Sequence, residues 1–217
     1  MNIISDSKLL YILYGPPGAG KGTISKYFEK NGYNVVGSGD ELRKYILNAP
    51  VDDPLRKSIE NELNNGRLVK TADLFQVVKS KLDKLKGEKI LGDGLVRNQD
   101  QAVWLINYAK VSNIHVKFIN LFTTFEVVEK RLKNRHFVPG NSTPFANYNI
   151  ALENCKSGQT PVKRGDDCIE IIKTRFKEYE SNLPLILSLI DIAPEYITLK
   201  TVDADNTPDE VFKASIS

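Results

Sequence analysis

Gly15-Pro16-Pro17-Gly18-Ala19-Gly20-Lys21-Gly22-Thr23 combines two devices for holding an anion. Glycines at this density let the backbone curl so that several N–H groups face one point, and Lys21 adds a mobile point charge. The apolar run Leu9 to Tyr14 precedes the stretch and Ile24 to Lys30 follows it, so a strand feeds the turn and a helix N-terminus, with its positive end, leaves it. The spacing is G-x-x-x-x-G-K. Gly22 follows the lysine, and the hydroxyl comes at Thr23, one place later than in the general phosphate-loop pattern. These residues predict a polyphosphate site.

A second group of residues is of a kind to meet phosphate. The chain has 22 Lys against 8 Arg, and the planar fork of a guanidinium suits phosphate oxygens as an ammonium does not. Arg97 lies in Asp93-Gly94-Leu95-Val96-Arg97-Asn98-Gln99-Asp100-Gln101, at the C-terminal end of a predicted strand. Open parallel sheets bind their ligands at that edge, and an acid there can hold Mg²⁺ through water. With a helix starting near Asn98, Arg97 and Gln101 are one turn apart and reach one side. Arg131 and Arg135 are four apart on one predicted helix and share a face. Arg164 and Arg175 follow a long irregular stretch.

The elements that must position these groups alternate. Strands are predicted at Leu9–Tyr14, Tyr33–Val36, Lys89–Asp93, His115–Phe122 and Tyr196–Val202. Helices are predicted over 23–31, 40–47, 55–63, 71–85, 99–109, 125–134 and 166 to about 181, with a bend at Pro184, and after Pro208. Ser38 with Glu41 fits a capping box, and Gly66 and Gly87 read as helix stops. From 136 to 163 the pattern dissolves into Pro, Gly, Asn, Ser and Thr. Strands alternating with helices predict an α/β fold with a parallel sheet covered on both faces.

Composition excludes several classes. With 217 residues, 41% of them hydrophobic, the chain can bury one substantial core. Its longest apolar run is far short of the ~20 residues that span a bilayer, and the polar start lacks a signal peptide's apolar segment, so a cytoplasmic protein with no membrane partner is expected. A net charge of +3 gives no argument for nucleic acid. Cys155 and Cys168 form no metal or redox spacing and read as incidental thiols, and His115, without the partners of a triad, reads as structural.

The string GPPGAGKGT resembles the phosphate loop of the adenylate kinase and UMP/CMP kinase family, and Asp93-Gly94 through Arg97 to Gln101 resembles that family's DG-x-x-R-x-x-x-Q stretch. Ser38-Gly39-Asp40-Glu41-Leu42-Arg43 is similar to its T/S-G-D-x-L-R. Leu63 to Val69 is similar to the segment ending in G-x-L-V. The arginines flanking 136–163 match its R-x-x-x-R and R-x-D-D. The resemblance implies a P-loop three-layer α/β/α fold with a five-stranded parallel sheet. The core would be 1–37, 70–135 and 164–217, with an inserted NMP-binding helical lobe over 38–69 and a lid over 136–163.

It implies, too, a monomeric phosphotransferase acting on small-molecule nucleotides, with Mg²⁺ as cofactor and ATP as co-substrate. Gly18, Ala19, Gly20, Lys21, Gly22, Thr23, Arg131 and Arg135 would bind ATP, and Thr23 and Asp93 would hold the metal, largely through water. Ser38, Arg43, Leu63, Arg67, Val69, Gly94, Arg97, Gln101, Arg164 and Arg175 would bind the monophosphate, with Ser38 open to a capping role and Leu63 and Val69 to a core role. Lys21, Arg97, Arg131, Arg164 and Arg175 would be catalytic. Gln101 favours AMP as acceptor, while Arg97-Asn98-Gln99-Asp100 is similar to the RNQD of UMP/CMP kinases. A nucleotide-binding regulator without transfer is the alternative of another class; the full arginine set argues against it. Leu95-Val96 replaces the family's usual Phe-Pro, and 136–163 lacks its S-G-R and tyrosine pattern.

Overall fold

The run Leu9–Tyr14 is apolar at every position because both of its faces are covered, as a central parallel strand requires. In the computed structural model, which describes residues 9–65, 67–85, 88–139, 144–163 and 168–217, this run is β1. Leu10, Ile12 and Tyr14 enter one core layer and Tyr11 and Leu13 the other. Beside it run β2 (Asn34–Gly37), β3 (Ile90–Asp93), β4 (His115–Phe122) and β7 (Ile197–Asp203). The order is β2-β3-β1-β4-β7, all parallel. The chain moves to one side of β1 first and to the other from β4 on, so the order reverses at β1 and opens a crevice at the carboxyl edge. The register lines Gly37, Asp93 and Leu13 up at that edge, with Tyr14 opposite Asn120.

Helices cover both faces. α1 (Lys21–Lys30) and α9 (Pro208–Ile216) pack on the layer containing Phe28, Leu121 and Phe212. α4 (Thr71–Lys84), α5 (Gln99–Ser112) and α8 (Ile169–Asp191) contribute Val78, Leu105 and Ile186 to the other. Between β2 and α4 stand α2 (Ser38–Asn48) and α3 (Pro54–Asn64), while α6 (Phe125–Asn134) follows β4. No helix among the described residues is long and apolar enough to cross a membrane.

The structure corrects four sequence expectations. Ser38 and Glu41 form no capping box: Gly37 is the N-cap, Ser38 already lies in the helix, and Glu41 pairs with Lys44. Arg135 is not on the α6 face with Arg131, because the helix ends at Asn134 and Arg135 is extended. Within 136–163, His136–Phe137 (β5) pairs with Pro144–Phe145 (β6), and Tyr148–Glu153 (α7) forms behind an Asn147 side-chain cap. Finally, α8 runs through Pro184 to Asp191: proline removes one backbone donor, but Ile186 and Ile190 stay buried beyond it and hold the helix to the core. The expected helix stops Gly66 and Gly87 lie outside the described residues.

Candidate functional site

The loop after β1 delivers N–H groups and positive charge to the crevice. Gly18 has φ 81° and Gly20, the N-cap of α1, has φ 92°, a conformation that side chains strain. Ala19 is buried and pins the loop to the core. The first turn of α1 carries no acidic residue and its N-cap makes no side-chain bond, so its positive end is left for an external anion. Gly22 and Thr23 are exposed there.

Lys21 donates from Nζ to the carbonyls of Gly15 at 2.7 Å and Pro16 at 2.8 Å, so its ammonium lies across the loop. Burial pulls its pKa down to about 8; Asp93 opposes that, and Arg97 and Arg135 add to it.

Asp93 ends β3 half-buried, and its Oδ2 accepts the Ser25 hydroxyl at 2.9 Å. The next residue, Gly94, has φ 67°, and a Cβ there would stand 3.2 Å from both Arg97 Nη2 and Ser38 Oγ. Only a glycine lets β3 turn this sharply while Arg97 folds back over it. Arg97 Nη2 donates to Ser38 Oγ at 3.4 Å. Asn98 caps α5 by accepting the Gln101 N–H at 3.0 Å. Gln101, 2% exposed, returns its Oε1 to the Arg97 N–H at 2.7 Å. The two residues expected to face one side are thus joined directly.

Desolvation lowers the pKa of Arg97; Asp93 raises it, while Arg175 and Arg43 lower it further. Arg97 therefore sits in the fields of two more guanidiniums, one from α8 and one from α2. Arg43 is exposed and paired with Asp40 at 2.5 Å, a surface contact weak enough to exchange for another anion. Arg135 lies over the Phe137 ring at 5.3 Å. Lys21 and Arg97 thus share the field of Asp93, with Arg135 beside Lys21 and with Arg43 and Arg175 beside Arg97.

Arg131 is turned elsewhere, donating from Nη2 to the Ala204 carbonyl at 2.8 Å with Asp205 at 3.6 Å. Arg67 pairs with Glu62 at 2.6 Å, Leu63 is 41% exposed and Val69 is buried in the core layer. Arg56 fastens the turn between α2 and α3 through the Ala49 carbonyl at 2.9 Å and Glu60 at 3.0 Å. Arg164 lies outside the described residues. Sequence reasoning missed Ser25, since a serine inside a helix gives no sign of its tertiary partner. It missed also the buried Tyr14 hydroxyl, which has no hydrogen-bond partner among the described residues.

The chemistry of the donor set suits a hard cation that keeps its water. Asp93 presents one carboxylate oxygen beyond the one held by Ser25, and the Thr23 hydroxyl is exposed on the first turn of α1.

The sequence model of one family, named "Adenylate kinase", matches residues 13–192, from the end of β1 through the glycine loop and the Asp93 to Gln101 turn. The chain belongs to the adenylate kinase family. Among curated relatives, the adenylate kinase of Chlamydia felis is 30% identical over 214 residues, covering 96% of each chain. That of Borrelia garinii subsp. bavariensis is 33% identical over 213 residues, covering 94% of this chain and 95% of its own. That of Borreliella burgdorferi is 32% identical over 213 residues with the same coverage. The likeness to these adenylate kinases covers 94–96% of the chain.

Proposed function

We propose that the protein moves the terminal phosphoryl group of Mg·ATP to AMP, giving two ADP. What supports this reading is Lys21 and Arg97 facing one acid, Asp93, at the switch point of the sheet, with Arg43 and Arg175 in the field of Arg97. One bound nucleotide needs the loop; Arg97, with Arg43 and Arg175 in its field, suits a second phosphate. Family membership supports the same reaction.

In this reading the loop N–H groups, Lys21 and Thr23 hold the β- and γ-phosphates of ATP, and Arg97 with Ser38 and Arg43 holds the phosphate of AMP. Arg175 and Arg164 neutralise the group in transit. Arg131 frames the donor side by fixing Ala204 and Asp205, and Arg135 flanks the phosphates. Asp93 and Thr23 would hold Mg²⁺, mostly through water, and the ion would supply charge neutralisation on the phosphate oxygens. The acceptor phosphate is already ionised at pH 7, so no general base is needed; alignment and fixed positive charge do the work.

The acceptor base lies against Val69, Leu63, Arg67 and Gln101. Oε1 of Gln101 spends one lone pair on Arg97, leaving its second lone pair and both Nε2 hydrogens for the base. That combination suits the N6 donor and N1 acceptor of adenine. The helices over 38–69 form the acceptor lobe and the segment 136–163 a lid that excludes water. The enzyme acts as a cytoplasmic monomer, with both nucleotide subsites on one chain.

A coupled assay offering Mg·ATP with AMP, CMP, UMP and GMP in turn tests this. Turnover is expected with AMP well above the other three. Turnover with none overturns the reaction, and preference for CMP or UMP overturns the base assignment.

A further inference from the structure

Ser25 is a buried hydroxyl on the third residue after the phosphate-loop glycine Gly22, and it faces the crevice acid rather than solvent. Its Oγ lies 2.9 Å from Asp93 Oδ2 and 2.9 Å from the Lys21 carbonyl, the acceptor four residues back on the same helix. One hydroxyl carries one proton. A charged acceptor makes the stronger bond, so the proton goes to Asp93, with the carbonyl as the lesser partner. Asp93 itself has two oxygens and one soft torsion. Alone at the end of β3, with Lys21 and Arg97 both in its field, it would turn toward whichever cation lay nearer.

We infer that Ser25 is a positioning residue that ties α1 to the end of β3, holding Asp93 Oδ2 so that Oδ1 is presented to the hydration shell of the metal. The inference rests on the reading of Asp93 as the metal-side acid. Alanine in place of Ser25 removes the tether without emptying space in the core, and it improves the helix. Asp93 is then free to collapse onto the neighbouring cations, and the loss appears as weaker metal binding rather than weaker folding. Threonine keeps the hydroxyl and the helix; cysteine keeps the size but is a weak donor.

The test measures Mn²⁺, visible by electron paramagnetic resonance, binding to the full-length protein saturated with ATP, for wild type, Ser25→Ala, Ser25→Thr, Ser25→Cys and Asp93→Asn. Metal-free ATP affinity and melting temperature are recorded alongside. Ser25→Ala is expected to weaken Mn²⁺ binding about tenfold, the low end for residues that act on a metal through its ligand. Its ATP affinity without metal and its melting temperature should stay at the wild-type values. Ser25→Thr should recover most of the loss and Ser25→Cys little. Wild-type Mn²⁺ affinity in Ser25→Ala, with Asp93→Asn impaired, overturns the role of Ser25 alone. Wild-type affinity in Asp93→Asn overturns the assignment of Asp93 itself. Equal losses of ATP affinity with and without metal in Ser25→Ala reduce Ser25 to a structural tie and overturn the inference as well.

Discussion

Gln101 Oε1 accepts the backbone N–H of Arg97 at 2.7 Å, so the side chain assigned to the acceptor base also fixes the backbone of the residue assigned to the acceptor phosphate. The two roles are mechanically one. Replacing Gln101 with Leu leaves the Arg97 N–H without its partner as well as removing the base contact, and a lost buried hydrogen bond costs about 1–3 kcal/mol. Steady-state kinetics of Gln101→Leu should show KM for AMP raised and kcat lowered together, each about tenfold or more. A change in KM alone would separate base reading from phosphate positioning.

Gly94 couples the same unit to the sheet. Gly94→Ala places a methyl group 3.2 Å from Arg97 Nη2 and Ser38 Oγ at φ 67°. It should destabilise by about 1–2 kcal/mol, the strain of a left-handed residue with a side chain, measured by urea unfolding. Turnover should fall further than that loss explains, because Arg97 must move. Wild-type kcat in Gly94→Ala would show that Arg97 need not fold over this turn.

Lys21 gives a pH dependence with a definite sign. Burial sets its pKa at about 8, so the free protein loses this charge as pH rises through that value. A polyphosphate beside the ammonium stabilises the charged form, so ATP binding near pH 8 must take up protons. ATP affinity should be flat below pH 7 and fall above pH 8 by about tenfold per unit, as linkage requires. Calorimetry in buffers of different ionisation enthalpy reads the proton uptake directly. Lys21→Arg, charged at every pH used, should abolish the step.

Arg131 is fastened to the Ala204 carbonyl and lies 3.6 Å from Asp205, whose carboxylate also accepts the Thr123 hydroxyl. Arg131→Ala should therefore raise KM for ATP more than KM for AMP. Equal effects on both substrates would place it on the phosphate in transit.

The fold was largely legible because its signals are local and strong. The unbroken apolar run of β1 reads as a strand covered on both sides, and β4 and α6 fall where the sequence put them. The P-loop glycines and the Asp93 to Gln101 stretch were legible because backbone conformation and helix capping are written within a few residues. What escaped depends on partners distant in sequence. Ser38 looked like a cap until Arg97 occupied its hydroxyl, and Ser25 looked like any helical serine until β3 brought Asp93 to it. Counting arginines singled out six of the eight, of which Arg43, Arg97 and Arg175 share one field in the structure. It could not show that Arg56 closes a turn, or that Arg131 and Arg135 part company where α6 ends.

Two polyanions sharing one ring of cations should bind as one bisubstrate ligand, which calorimetry with diadenosine pentaphosphate reads. One molecule should bind per chain, about a hundredfold or more tighter than ATP alone, as expected when one ligand fills both subsites. It should exclude ATP and AMP together, and Arg97→Ala should weaken it strongly while leaving ATP affinity near wild type. Affinity no better than that of ATP, with AMP failing to compete, would contradict the account.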